Sequence, residues 1–245
     1  TLEVLDDILH TTKDYREVSL GLVEIPLDQI VGTKTAARSS SFSSNFMPIL
    51  DASSEFATKW SVLCDAQAEE GIKDPITAYE YMNKFYVLEG NKRVSVLKYF
   101  DAVSISGNVT RILPRKSDDY PVKLYYEFVD FYNLSQVNYL YMSKLGNFAK
   151  LQFEIKGNED EAWSSDDKMN FRSMYQNFRS RYELLGGNQL DRITCGDAFL
   201  AFIQLYGYVP LLEKNEKQVN ELIELNFKEF KLMSDKEVDL RMTTS

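Results

Sequence analysis

Residues 85–97 read F-Y-V-L-E-G-N-K-R-V-S-V-L: an apolar run, a polar turn around a glycine, and a second apolar run. Phe85 to Leu88 has the length and composition of a buried strand, and the spacing predicts a helix from Val94 to Phe100. A helix that opens on such a turn presents unpaired backbone N–H groups and about half a positive charge beyond the strand end, where they attract anions. Gly90 lets the backbone approach a ligand closely. Lys92 and Arg93 add cations where they oppose the helix dipole, a choice that makes sense if something negative sits there. Asn91 is a cap and a donor. The bland alternative is a polar turn with two solvated cations. On the residues alone the two readings stand level.

The flanking chain alternates strands and helices, which predicts an α/β layer structure. The first eighteen residues read as a short helix and a connector. A strand is expected over Gly21–Ile25, closed by Pro26, and a long loop over residues 32–48, rich in Ser, Thr, Ala and Gly. A helix follows a Ser53/Ser54 cap, with Phe56, Trp60 and Leu63 at helical spacing, and ends at Gly71. Short strands are expected at Ile76–Tyr79, Val103–Ile105 and Val109–Leu113, with a turn at Asn83. From about Pro121 the pattern becomes helical, giving an expected division into an α/β domain over 1–120 and a mainly helical extension over 121–245. Its aromatic start, Y-Y-E-F-V-D-F-Y, reads as core because Glu127 and Asp130 interleave the rings where a base-stacking platform would carry Lys and Arg. The final helix carries Val219, Leu222, Ile223, Phe227 and Phe230 on one face, a packing or oligomer element.

Several chemistries are excluded by composition. His10 is the one histidine, so Ser-His, Cys-His and His-rich metal sites are out. Cys64 and Cys195 lack metal spacing and read as buried free thiols. The net charge of −9, from 37 acidic and 28 basic residues, argues against a DNA- or RNA-coating surface. No apolar run approaches the roughly eighteen residues of a membrane span. The chain opens on Thr1, which suggests a piece trimmed from a longer protein.

The E-G-N-K-R turn resembles the G-E-R-R box of the ParB partition proteins. G-I-K-D-P-I resembles that family's G-x-x-x-P-I element, V-E-I-P-L-D-Q-I its opening strand, and A-A-R-S-S-S-F its Arg-containing loop. The four elements occur in the family's order over roughly residues 20–113. The resemblance to the ParB/sulfiredoxin superfamily implies a small mixed sheet with helices in a bacterial, cytoplasmic protein. It also implies a nucleoside triphosphate, ATP or CTP with Mg²⁺, held by Gly90, Asn91, Lys92 and Arg93, with Arg38 reaching a phosphate from its loop. Serine-kinase-like members carry carboxylates where Asp28 and Glu89 stand, making these the candidates for a base or for Mg²⁺. Their bland readings are a turn residue for Asp28 and an ion pair with Lys92 or Arg93 for Glu89. Asn91 replaces the sulfiredoxin cysteine, which excludes sulfiredoxin chemistry. The ParB motif E-N-x-Q-R is matched poorly by N-L-S-Q (Asn133–Gln136), and no helix-turn-helix is evident. The expected function is therefore nucleotide binding, as a switch or a small-molecule kinase. The alternatives are a DNA-binding or "ParB-like nuclease" protein and a non-enzymatic interaction module with a vestigial site.

Overall fold

The structure, a computed structural model, describes residues 2–10, 14–49, 51 and 53–242, without the side chains of Arg38 and residues 235–242. The chain divides into two compact units, Thr1–Ser117 and Asp118–Ser245.

The first unit is α/β. Its elements are β1 (Glu3–Val4), α1 (Leu5–Leu9), β2 (Tyr15–Pro26), β3 (Ile30–Thr33), α2 (Glu55–Glu69), β4 (Ile76–Tyr81), β5 (Lys84–Glu89), α3 (Asn91–Tyr99) and β6 (Ser104–Pro114). One mixed six-stranded sheet has the order β1-β3-β5-β4-β6-β2. β3 runs parallel to β5 and β4 parallel to β6, while β4–β5 and β6–β2 are antiparallel. Met82 and Asn83 both take positive φ, 51° and 65°, so a two-residue turn closes the β4–β5 hairpin with the twist such hairpins favour.

Alternation along β5 sorts its side chains onto two faces. Phe85 and Val87 join Ile25, Ile76, Ala78, Val94 and Leu97 on the α3 side, while Tyr86 joins Leu5, Leu9 and Ile112 on the α1 side. Val94 is fully buried, and burial of such a side chain stabilises by about 1.5–3 kcal/mol. Glu80 and Arg111, neighbours in register across β4 and β6, form an ion pair that is almost wholly buried. Glu80 also accepts the Asn83 N–H at 2.8 Å, tying the pair to the hairpin turn.

Three sequence expectations need correction. The Gly21–Ile25 strand is the end of a twelve-residue strand that begins at Tyr15, inside the stretch expected as a connector. Gly21, at φ 70°, sits at a shift of register within it and does not begin it. The two short strands after α3 are one strand, β6: Gly107 faces Ile25 and Ile76, where a Cβ would lie 2.6 Å from Ile25 Cδ1, so the glycine marks close packing and not a break. The 32–48 loop contains the end of β3 and a 3₁₀ turn, Ala36–Ser41, and it is pinned by the buried rings of Phe42 and Phe46.

The second unit holds α4 (Tyr120–Ser135), α5 (Asn147–Lys156), α6 (Ser165–Leu184), α7 (Cys195–Tyr206), α8 (Tyr208–Leu212) and α9 (Glu216–Met242), and no strand among its described residues. Ser164 and Thr194 form capping boxes at the starts of α6 and α7. Its core is aromatic: Phe178 touches Tyr182, Phe199, Phe202 and Phe230 at centroid distances of 5.2–5.9 Å. Tyr125, Phe128, Phe131 and Tyr132 of α4 are buried. Asp197 accepts from Asn147 Nδ2 at 2.8 Å, Thr194 N at 2.9 Å and Ser143 N, fastening the 143–147 segment to α7. The cysteines were expected to be buried: Cys64 is half-buried on α2, whereas Cys195, at the first position of α7, is half-buried as a residue with its thiol desolvated. Desolvation pushes the Cys195 thiol up to about 12, with a partial offset from the Tyr175 hydroxyl. Among the described residues no helix is long and apolar enough to cross a membrane.

Candidate functional site

β5 delivers Gly90 at φ 99°, ψ 18°, and α3 begins at once on Asn91. This is the left-handed region, which costs other residues free energy. A Cβ on Gly90 would also lie 2.5 Å from Ile76 Cγ2 and 3.2 Å from Arg93 Nε. The position admits glycine on both counts. Gly90 supplies no side-chain cap to α3, so the first turn presents N–H groups that its N-cap residue leaves unsatisfied.

Asn91 is buried at the first helical position, and its Oδ1 has no hydrogen-bond partner. Lys92 leans toward α2: its ammonium lies 4.4 Å from the Phe56 ring centroid, and it draws the Glu55 carboxyl downward, behind the larger contribution of Lys59. Arg93 is a brace. Its Nη1 donates to the carbonyls of Asp74 at 3.0 Å and Pro75 at 2.8 Å, and its Nη2 pairs with Glu89 at 2.5 Å. One guanidinium thus holds the segment entering β4, the last residue of β5 and the first turn of α3 together. Its charge stays against Gly90.

Asp28 lies elsewhere. It occupies the 3₁₀ turn Leu27–Gln29 that leads into β3, and it acts electrostatically on Lys98. Burial lowers the pKa of that lysine and Asp28 partly restores it. Lys98 donates to the Ile30 carbonyl at 3.0 Å. Because Ile30 pairs with Phe85 in parallel register, Asp28 stands where β5 begins and Glu89–Gly90 stand where it ends, on the order of 15 Å away at about 3.3 Å per residue. The structure therefore gathers Glu89, Gly90, Asn91, Lys92 and Arg93, and sets Asp28 apart. Arg38 falls in the 3₁₀ turn Ala36–Ser41, which leaves β3 at the end where β5 delivers Gly90; its side chain lies outside the described residues. Among the described residues no group of three or more His, Cys, Asp and Glu is arranged to hold a metal ion.

Two neighbours of the turn were visible in the sequence only as packing positions. Phe56 carries Lys92, and Trp60 donates its indole N–H to the buried Ser95 hydroxyl of α3 at 2.9 Å. Their helical spacing placed them on one face of α2, but not which helix that face meets.

No family model matches the chain, and no curated protein does. Among solved structures, the chain is similar to a sulfiredoxin from Arabidopsis thaliana at 19% identity. That likeness covers 36% of this chain and 82% of that one, with a TM-score of 0.26. It is also similar to the C-terminally truncated chromosome-partitioning protein ParB from Caulobacter crescentus, solved with CTP-γ-S, at 12% identity. This second likeness covers 81% of this chain and 98% of that one, with a TM-score of 0.27. The α/β assignment itself rests on the sheet order and helix placement described above.

Proposed function

We propose that the first unit binds the phosphates of a nucleoside triphosphate at the Gly90 turn and acts as a nucleotide-dependent switch. The observation that carries this is the start of α3. A left-handed glycine with no room for a side chain opens a helix without a side-chain cap. An anion is the natural partner of that geometry, through backbone N–H groups and the helix dipole. Lys92 supplies a point charge within the same turn, and Arg93 adds field from beneath it. The resemblance of residues 20–113 to ParB-type proteins narrows the anion to a nucleoside triphosphate, with Mg²⁺ held chiefly by the phosphates as such ions prefer.

Binding is favoured over phosphoryl transfer by the carboxylates. Glu89 is committed to Arg93, and Asp28 stands at the opposite end of β5. A general base must come within about 3 Å of the proton it takes, and Asp28 does not meet that condition at this turn.

The test is thermal unfolding with ATP, CTP and GTP, each with Mg²⁺, against buffer. A ligand at a hundred times its dissociation constant adds roughly 2.7 kcal/mol, worth about 5–10 °C in a chain of this size. A shift with one or more nucleotides, sharply reduced in Lys92→Ala, is the expected result. No shift with any, together with no heat of binding by calorimetry, rejects the site.

A further inference from the structure

Two contacts converge on Phe56, in the first turn of α2. Its ring carries the Lys92 ammonium at 4.4 Å. It meets Phe42, the buried anchor of the serine-rich 39–44 segment, edge-on at 5.4 Å. It also belongs to a fifteen-residue helix none of whose residues is buried. Beyond Phe56, Trp60 joins α2 to α3 by its hydrogen bond to Ser95 and its edge contact with the exposed Tyr99 ring at 5.4 Å. An element with so little buried surface lies at the low end of local stability and moves at small cost.

Lys92 is therefore divided between two attractions. Phe56 and Glu55 draw it toward α2, while a phosphate on the first turn of α3 would draw it along its own helix. Cation–π attraction is weaker than a charge-assisted hydrogen bond to phosphate, so the phosphate prevails. We propose that Phe56 is a positioning residue that parks Lys92 on α2, and that phosphate binding transfers Lys92 to the ligand and loosens α2 from α3. This rests on the phosphate reading of the Gly90 turn. Because ligand binding must first break the Lys92–Phe56 contact, weakening that contact tightens binding by the same factor.

The experiment labels both tryptophans of the full chain with 5-fluorotryptophan and follows their ¹⁹F resonances during titration with MgATP, MgCTP, MgGTP and inorganic tripolyphosphate. Trp60→Phe assigns the Trp60 line. The inference expects the Trp60 line to move on saturation with whichever probe binds. Phe56→Leu keeps apolar bulk without a π face, and should bind that probe about two- to five-fold tighter, with its Trp60 line displaced toward the bound position before any ligand is added. Glu55→Gln, at an exposed position, should tighten binding in the same direction by a smaller factor. Binding that leaves the Trp60 line unmoved, or Phe56→Leu binding unchanged or weaker while its first unit keeps the native urea midpoint, overturns the gating role and leaves the phosphate site standing. Failure of every probe to bind removes both. A response to tripolyphosphate equal to that of the nucleotides assigns the gate to the phosphates alone.

Discussion

Arg93 offers a demanding test, because the structure gives its guanidinium a mechanical task that a purely ligand-binding cation would not have. Arg93→Ala removes two hydrogen bonds to the Asp74 and Pro75 carbonyls and the pairing with Glu89. The Arg93 side chain is 16% exposed and that of Glu89 66%. The ion pair is thus half in solvent and contributes about 0–1 kcal/mol. Hydrogen bonds from a charged donor contribute about 1.5–3 kcal/mol each, discounted here because water can replace the donor on carbonyls at the surface. The expected loss is about 2–4 kcal/mol of first-unit stability. Arg93→Lys keeps a charge and up to two donors for the carbonyls but loses the planar fork, and should recover roughly half. Equilibrium urea unfolding followed by the ¹⁹F line of Trp60 reads the first unit directly. A loss below about 1 kcal/mol for the alanine variant, or none recovered by lysine, would refute the brace and return Arg93 to the surface.

Other outcomes follow from the same geometry. Gly90→Ala combines backbone strain with a Cβ 2.5 Å from Ile76 Cγ2; it should cost about 2 kcal/mol or more, read as a lower urea midpoint, while Gly71→Ala, where a Cβ meets open space, costs only the strain of its positive φ. Removing Glu80 alone takes the paired carboxylate from a buried Arg111 and should cost about 3–5 kcal/mol, whereas Glu80→Leu with Arg111→Met should be less damaging than either single change. Asp197→Ala should destabilise the second unit by about 3 kcal/mol through its lost backbone and Asn147 bonds, with the Trp163 line unfolding earlier. Cys195, its thiol pushed up to about 12 by burial, should alkylate negligibly in the native chain at pH 8.5, with the rate still rising above pH 10 as thiolate forms. Rapid labelling of both cysteines at pH 8.5, by peptide mass mapping, would contradict that environment.

The segment from Phe85 onward was legible because everything it needs is local. An apolar run, a left-handed glycine and a helix-forming run follow one another without a break, and the largest shift is the helix start, from Val94 to Asn91, because Gly90 itself serves as N-cap. The sheet was less legible where glycine was taken as punctuation. Gly21 sits in a register shift, and Gly107 is small because Ile25 and Ile76 crowd it. The anchoring of residues 32–48 by Phe42 and Phe46 was obscured by the polar residues around them. The placement of Asp28 was not readable at all. It depends on β3 and β5 running parallel, a pairing between strands more than fifty residues apart. The Arg93 brace depends likewise on carbonyls contributed eighteen and nineteen residues earlier.

The longest pairing in the sheet also governs how the protein is made. β2 is an edge strand, and its register joins Tyr15 to Pro114 and Pro26 to Ser104. During synthesis at about 5–20 residues per second, β2 leaves the ribosome roughly 4–20 s before its partner exists. For that interval the backbone of β2 lacks the strand it hydrogen-bonds in the finished sheet. The Gly90 turn lies inside the same closing loop, so nascent chains stalled before Ser104 should remain protease-sensitive and hold no nucleotide, and both properties should change together once Pro114 has emerged. A chaperone that shields an unpaired strand would act in this window and at no later one.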